Sequence, residues 1–240
     1  MIISKSALQL VGMVGADKGM PMLNSICIEP NGMVIASNTK AIAIVGPVSI
    51  RIREAVPLQE QPGDITQQVV LTADTAKNLV KSIPRDTQFK GLLEHTNIRC
   101  DGSMKMTAEI TDGKRRNEIK FRKLNHTYFD YREVFRAAWK NRYAGEKVKD
   151  IILNRKRLTL LLSVIDKVCN YDGDFSPVFW TFTSGGDVII KARNELTDQG
   201  MIVVFRGVES KGDEGAPEYP WERELFEEVA KKRQGAIKLA

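Results

Sequence analysis

One pattern recurs three times along this chain, and it constrains the fold more than any other feature. A short apolar stretch is followed by a helix-capping residue, a helical apolar period and then short alternating stretches. The copies open on Met1-Ile2-Ile3, Val69-Val70-Leu71 and Ile151-Ile152-Leu153. Directly after them stand Ser4, Thr72 and Asn154. All three are residue types whose side-chain oxygen accepts from the unpaired N–H groups of a first helical turn. The pattern predicts helices over 4–16, 72–83 and 154–169. In the second, Ala76, Leu79, Val80 and Ile83 follow the i, i+3, i+4, i+7 spacing of one buried face, and Leu158, Leu161, Leu162 and Ile165 repeat it in the third. Gly12 and Gly15 interrupt Leu8, Val11 and Val14 in the first, which leaves its register open.

Strands are predicted after each helix. In the first copy the chain alternates through 26–28 and 33–36, and 41–45 and 48–52 complete the unit. In the second the strands fall at 91–99, 104–110 and 117–122, and in the third at 178–183, 187–193 and 200–207. Asn31-Gly32, Asp101-Gly102, Asp112-Gly113 and Gly185-Gly186 supply hairpin turns between them. Three strand-helix-three-strand units thus fill residues 1–208, an α+β fold with antiparallel sheets.

Two segments lie outside the repeat. Residues 124–150 form a connector that begins Leu124-Asn125-His126-Thr127-Tyr128-Phe129-Asp130-Tyr131 and then turns basic, with Arg136, Lys140, Arg142, Lys147 and Lys149. Residues 209–240 open as an acidic loop. They end in a predicted helix over 221–233, where Trp221, Leu225 and Val229 share a face.

Catalytic equipment is nearly missing from the sequence. Its two histidines, His95 and His126, belong to no HExxH motif, and there is no G-x-S-x-G elbow and no P-loop. Cys27, Cys100 and Cys169 are widely spaced, form no CxxC and read as buried free thiols. The expectation is a protein that is not an enzyme and needs no cofactor or metal. No apolar run approaches the roughly 20 residues of a membrane span, and the first residues lack the order of a secretory signal. The expected setting is therefore cytoplasmic, with no membrane partner. A net charge of +6 is compatible with a polyanionic partner without requiring one.

Particular residues add a resemblance. Met20-Pro21-Met22-Leu23-Asn24-Ser25-Ile26-Cys27-Ile28-Glu29 before a glycine turn, Phe129-Asp130-Tyr131-Arg132-Glu133-Val134, and Ile152-Leu153-Asn154-Arg155-Lys156-Arg157-Leu158 are carried on repeated strand-helix-three-strand units. Together they resemble the DNA sliding clamps, most nearly the bacterial DNA polymerase III beta subunit. The chain departs from that family in having three units where clamps have an even number, and in lacking a proline between Phe129 and Asp130.

The resemblance implies a DNA-clamp-like fold. Residues 1–123 would form one clamp-like domain of two units, 124–150 a basic connector, 151–208 a half domain, and 209–240 the acidic loop and final helix. It implies a processivity or DNA-tethering factor that binds duplex DNA without sequence preference and assembles as a homo-oligomer. Such a factor would serve a DNA polymerase or another replication protein. The alternative is a clamp-derived protein-interaction module that does not encircle DNA. In the family the helices face DNA, which makes Arg155, Lys156, Arg157 and Lys167, then Lys77, Lys81, Arg85 and Lys5, the candidate DNA-binding set. The third helix is the stronger candidate, with four basic side chains against Asp166 alone. Plain solvated helix faces look the same. Lys114, Arg115, Arg116, Lys120, Arg122 and Lys123 form a rival basic stretch, and Trp139 and Tyr143 interleave with the basic connector.

Overall fold

Ser4, Thr72 and Asn154 each cap a helix with the same bond. The side-chain oxygen accepts from the backbone N–H three residues on, Ala7 at 3.1 Å, Thr75 at 3.1 Å and Arg157 at 3.2 Å. This computed structural model describes residues 1–14, 20–58, 65–85, 91–141, 153–169, 178–183, 186–194 and 199–207. The final helix of the sequence reading, over 221–233, and Ile151-Ile152 lie outside the described residues.

The first unit runs β1 (Ile2–Ser4), α1 (Lys5–Leu8), β2 (Ser25–Ile28), β3 (Val34–Ser37) and β4 (Ala41–Val45). After a short helix α2 (Ile50–Ala55), the second runs β5 (Val69–Thr72), α3 (Ala73–Ser82), β6 (His95–Cys100), β7 (Lys105–Thr111) and β8 (Arg116–Arg122). Then come α4 (Tyr131–Lys140), α5 (Arg155–Val168), β9 (Phe179–Phe182), β10 (Asp187–Asn194) and β11 (Gln199–Arg206).

Each of the first two units gives its first strand to the other. β1 pairs antiparallel with β6, placing Ile3 opposite Thr96, while β5 pairs with β2, placing Leu71 opposite Ile26. One sheet therefore has the order β1-β6-β7-β8. The other does not stop at the first unit. Its order is β5-β2-β3-β4-β11-β10-β9, because β11 pairs with β4 and joins the third unit edge to edge with the first. Gln199 locks that seam. Its amide donates to the Gly46 carbonyl at 2.9 Å, and its Oε1 accepts from the Ser4 hydroxyl at 2.6 Å.

All helices of the three units lie on one side of the sheets. Ile26, Ile28, Val34, Ala43, Leu71, Ile98, Ala108, Ile190, Val203 and Phe205 point inward to meet Leu8, Leu10, Leu79, Leu161, Val164 and Ile165 in one core. At roughly 25 cal/mol per Å² of apolar surface, this burial is the main force holding the layers together.

Four local expectations change. The first helix gives only α1 and then a 3-10 turn over Gln9–Met13, wedged between α3 and α5. Gly12 fits there because a Cβ would stand 3.1 Å from Val164 Cγ2, too close for an easy fit. The stretch 48–52 is not a strand. It leads into α2, whose Ile52 packs with Ile2, Val48, Val56 and Leu58 on the outer side. In α5 the buried stripe is Leu161, Val164, Ile165 and Val168, while Leu162 is 39% exposed. The aromatic start of the connector becomes α4, capped by Asp130, whose carboxylate accepts from the N–H groups of Arg132 and Glu133.

Candidate nucleic-acid interface and outer groove

On the helix side, Arg155, Lys156, Arg157 and Lys167 of α5 and Lys77 and Lys81 of α3 are exposed. Burial of the opposite faces, Ala76 and Leu79 in α3 and Leu161 and Ile165 in α5, turns these cations outward. None of the six has an ion-pair partner among the described residues. The 3-10 turn packs between the two helices, and the buried faces of both join one core, opposite these cations.

Two members of the predicted set are placed otherwise. Lys5 is half-buried, and its Nζ donates to the Ile83 carbonyl at 2.7 Å. It satisfies the C-terminal end of α3, where unpaired carbonyls and the helix dipole both favour a cation. Arg85 is exposed but lies beyond α3, whose C-cap is Ile83.

The rival basic strand is partly neutralised. On β8, Arg116 pairs with Glu109 of β7 at 3.3 Å, and Glu118 pairs with Arg99 of β6 at 2.6 Å. The connector aromatic Trp139 is 45% exposed and carries the Lys191 ammonium 4.4 Å above its ring, a cation–π contact that ties α4 to β10. Tyr143 and Arg142 lie outside the described residues.

The outer face of the seven-stranded sheet holds what the sequence reading missed. β2 to β5 are apolar on both faces. Cys27, Ile35, Ile42 and Val70 point outward and are covered by Tyr128 and Tyr131, while Phe135 and Ala138 of α4 cover Ile189 and Val204. Strands apolar on both faces signal a second covering layer, so the cue was present in the sequence. Beneath it Glu29 is 5% exposed, and its Oε1 gathers three partners. They are the Tyr131 hydroxyl at 2.7 Å, the Gln68 amide at 3.0 Å and the Arg132 guanidinium at 3.2 Å. Burial, with Glu29 beside it, drives the Tyr131 hydroxyl above its usual pKa of 10, so it remains a donor at neutral pH.

Beside this latch, α4 and the β3–β4 turn bound a groove of about 510 Å³. Ile42, Val134, Ala137 and Val204 line it together with polar and charged side chains, among them Lys40, Glu133, Asp187 and Arg206. Burial raises the Asp187 carboxyl, opposed by Arg206.

His95 is buried in β6 with Nδ1 3.2 Å from the Leu92 carbonyl, and burial lowers its pKa below 6.5, keeping it neutral. Among the described residues no three His, Cys, Asp or Glu side chains converge as metal ligands. Among them, too, no helix is long and apolar enough to cross a membrane.

Solved structures share this fold. The beta clamp of H. pylori, in complex with diflunisal, superposes with a TM-score of 0.55 at 10% identity over 86% of this chain. The chain spans 64% of that clamp's length. PCNA of A. fulgidus, bound to the C-terminal region of FEN-1, superposes with a TM-score of 0.50 at 10% identity, covering 88% of this chain and 98% of that one. No protein-family model matches the chain, and no curated protein matches it in sequence. The chain has a sliding-clamp-like α+β fold, with strand exchange between units and helices on one side of antiparallel sheets.

Proposed function

We propose that this protein is a non-enzymatic DNA tether of the sliding-clamp kind, holding duplex DNA against its helical side without reading sequence. The observation that carries this reading is the shared basic face of α3 and α5, six exposed cations without ion-pair partners among the described residues. Cations on long side chains attract phosphates and release counterions whatever the base sequence, and such contacts can slip. Arg155, Lys156 and Arg157 lie at the N-terminal turn of α5, where the helix dipole adds to their field. Lys167 follows on α5, with Lys77 and Lys81 on α3. Arg85 is an outlying contact, and Lys5 serves the fold instead.

The test is fluorescence anisotropy on two duplexes of unrelated sequence across a salt series. Equal affinities with a steep salt slope support the tether. Indifference to duplex DNA at low salt overturns it.

The outer groove favours a second activity in the same molecule, recruitment of a protein partner such as a polymerase. Its mixed lining, with Ile42, Val134 and Val204 beside Lys40, Glu133 and Arg206, suits a short peptide carrying one or two apolar side chains and a charge. The A. fulgidus PCNA is bound by the C-terminal region of FEN-1.

A further inference from the structure

Helix α4 brings aromatic and basic residues of the connector onto the outer face of β10 and β11. The strands beneath it alternate. Val188 and Ile190 of β10 and Phe182 of β9 pack into the core on the helix side, while Ile189 lies outward under α4. Lys191 is therefore outward too, and so are its cross-strand partners, Phe179 on β9 and Ile202 on β11. The three form a row across neighbouring strands, which lie about 4.8 Å apart. Trp139 stands over this row, with the Lys191 ammonium 4.4 Å from its ring centroid. Two aromatic rings thus neighbour one ammonium, and neither is covered: Phe179 is 65% exposed and Trp139 45%. Ile202, also exposed, extends the apolar surface.

Cations surround the two rings. Arg136 lies one turn before Trp139 on α4 and Lys140 directly after it, both exposed. Neither they nor Lys191 has an ion-pair partner among the described residues. Arg193, the next outward position of β10, is exposed as well. The acids are turned elsewhere. Glu133 belongs to the other flank of α4, where it lines the groove with Val134 and Ala137. Asp187 is the one acid among the outward positions of β9, β10 and β11, and it stands in that same groove at the opposite end of β10.

We propose that this patch is a second binding site, for single-stranded nucleic acid, on the face opposite the helices. Unpaired bases present flat π-faces that stack on exposed aromatic rings, and the phosphates between them need cations within reach. The patch offers both, Trp139 and Phe179 for the bases and Arg136, Lys140 and Lys191 for the backbone. A duplex hides its base faces in its own stack and would leave both rings unused. An apolar peptide would cover the rings and leave three cations unanswered. Stacking on a ring selects no particular base, so the site accepts any sequence and selects for strandedness. It stands on residues that the tether reading does not use.

Fluorescence anisotropy on the full chain, with a labelled oligothymidylate of about 12 nucleotides and no duplex present, tests this. The expected result is saturable binding that weakens about tenfold in Trp139→Ala and about tenfold in Phe179→Ala, the loss of one stacked base. Both side chains are exposed, and circular dichroism checks that both variants fold. Arg136→Glu/Lys140→Glu should flatten the slope of log K against log salt by about 1–2. Affinity for duplex DNA should be the same in the two aromatic variants as in the unaltered protein. Absence of oligonucleotide binding at low salt overturns the proposal. Binding that neither aromatic variant weakens also overturns it, and leaves the patch to a protein partner. Equal weakening of oligonucleotide and duplex overturns it as well, since one site would then serve both. Failure of the duplex alone to bind counts against the tether reading and not against this site.

Discussion

The Tyr131 hydroxyl donates to Glu29 Oε1 at 2.7 Å, joining the end of β2 to the start of α4 across 102 positions of sequence. Glu29 closes the first of the stretches that resemble the clamps, and Tyr131 lies in the second, so two separate signals meet at one buried carboxylate. The Gln68 amide donates to the same oxygen, and Gln68 Oε1 accepts from the Tyr128 N–H at 3.3 Å, which extends the latch to the segment before β5.

Tyr131→Phe removes one donor from a buried charge while Gln68 and Arg132 stay in place. A hydrogen bond to a charged group is worth about 1.5–3 kcal/mol, so the variant should lose about 2 kcal/mol. Urea denaturation reads this as a lower midpoint at unchanged slope. A loss below about 0.5 kcal/mol would show that the latch is not a fixed element of the folded state.

The three caps should not cost the same when removed. Thr72→Ala and Asn154→Ala lose a capping bond, about 1 kcal/mol each. Ser4→Ala also strands Gln199 Oε1 in the buried seam between the first and third units, adding about 1–3 kcal/mol. Thermal melts of the three variants side by side check the order, and equal losses would contradict the role given to Gln199.

Stability should form a plateau between about pH 6.5 and pH 9. Burial pushes the Cys27 and Cys169 thiols from 9 up to about 12. The unfolded chain releases those protons first, so stability is intact below pH 9 and is lost as pH rises beyond it. The limb steepens by up to about 1.4 kcal/mol per pH unit for each thiol. Burial lowers the His95 pKa from 6.5, so the unfolded chain takes that proton first and stability falls as pH drops below 6.5. Melting temperatures across pH test both limbs. Cys27→Ala/Cys169→Ala should delay the alkaline loss until the tyrosines titrate above 10.

Reversal of Arg155, Lys156 and Arg157 to Glu, with the Asn154 cap intact, should weaken duplex binding alike on every sequence. It should also flatten the slope of log K against log salt by about 2–3. Lys5→Ala should do the opposite, destabilising the C-terminal end of α3 by about 1 kcal/mol and leaving the slope unchanged. Anisotropy titrations at several salt concentrations, beside melts, separate the two outcomes. A flattened slope in Lys5→Ala would return that residue to the DNA-facing set.

The local chemistry of the chain was legible without coordinates. A polar cap after an apolar triplet, or a glycine in a hairpin turn, acts within four or five residues. Ser4, Thr72 and Asn154 accordingly cap as expected, and Gly32 and Gly113 occupy the left-handed region at φ 91° and 88°. Long-range packing decided the rest. Which strand crosses to which sheet depends on edges brought together by the whole core, so β11 beside β4 and the seven-stranded sheet have no local sign. The turn of α5 that exposes Leu162 was set by the 3-10 turn wedged against it, since the periodic pattern fits either leucine inside. Lys5 illustrates the same division. Its charge and its place on a helix are written in the sequence, but its bond to the Ile83 carbonyl exists only because α1 packs beside the end of α3.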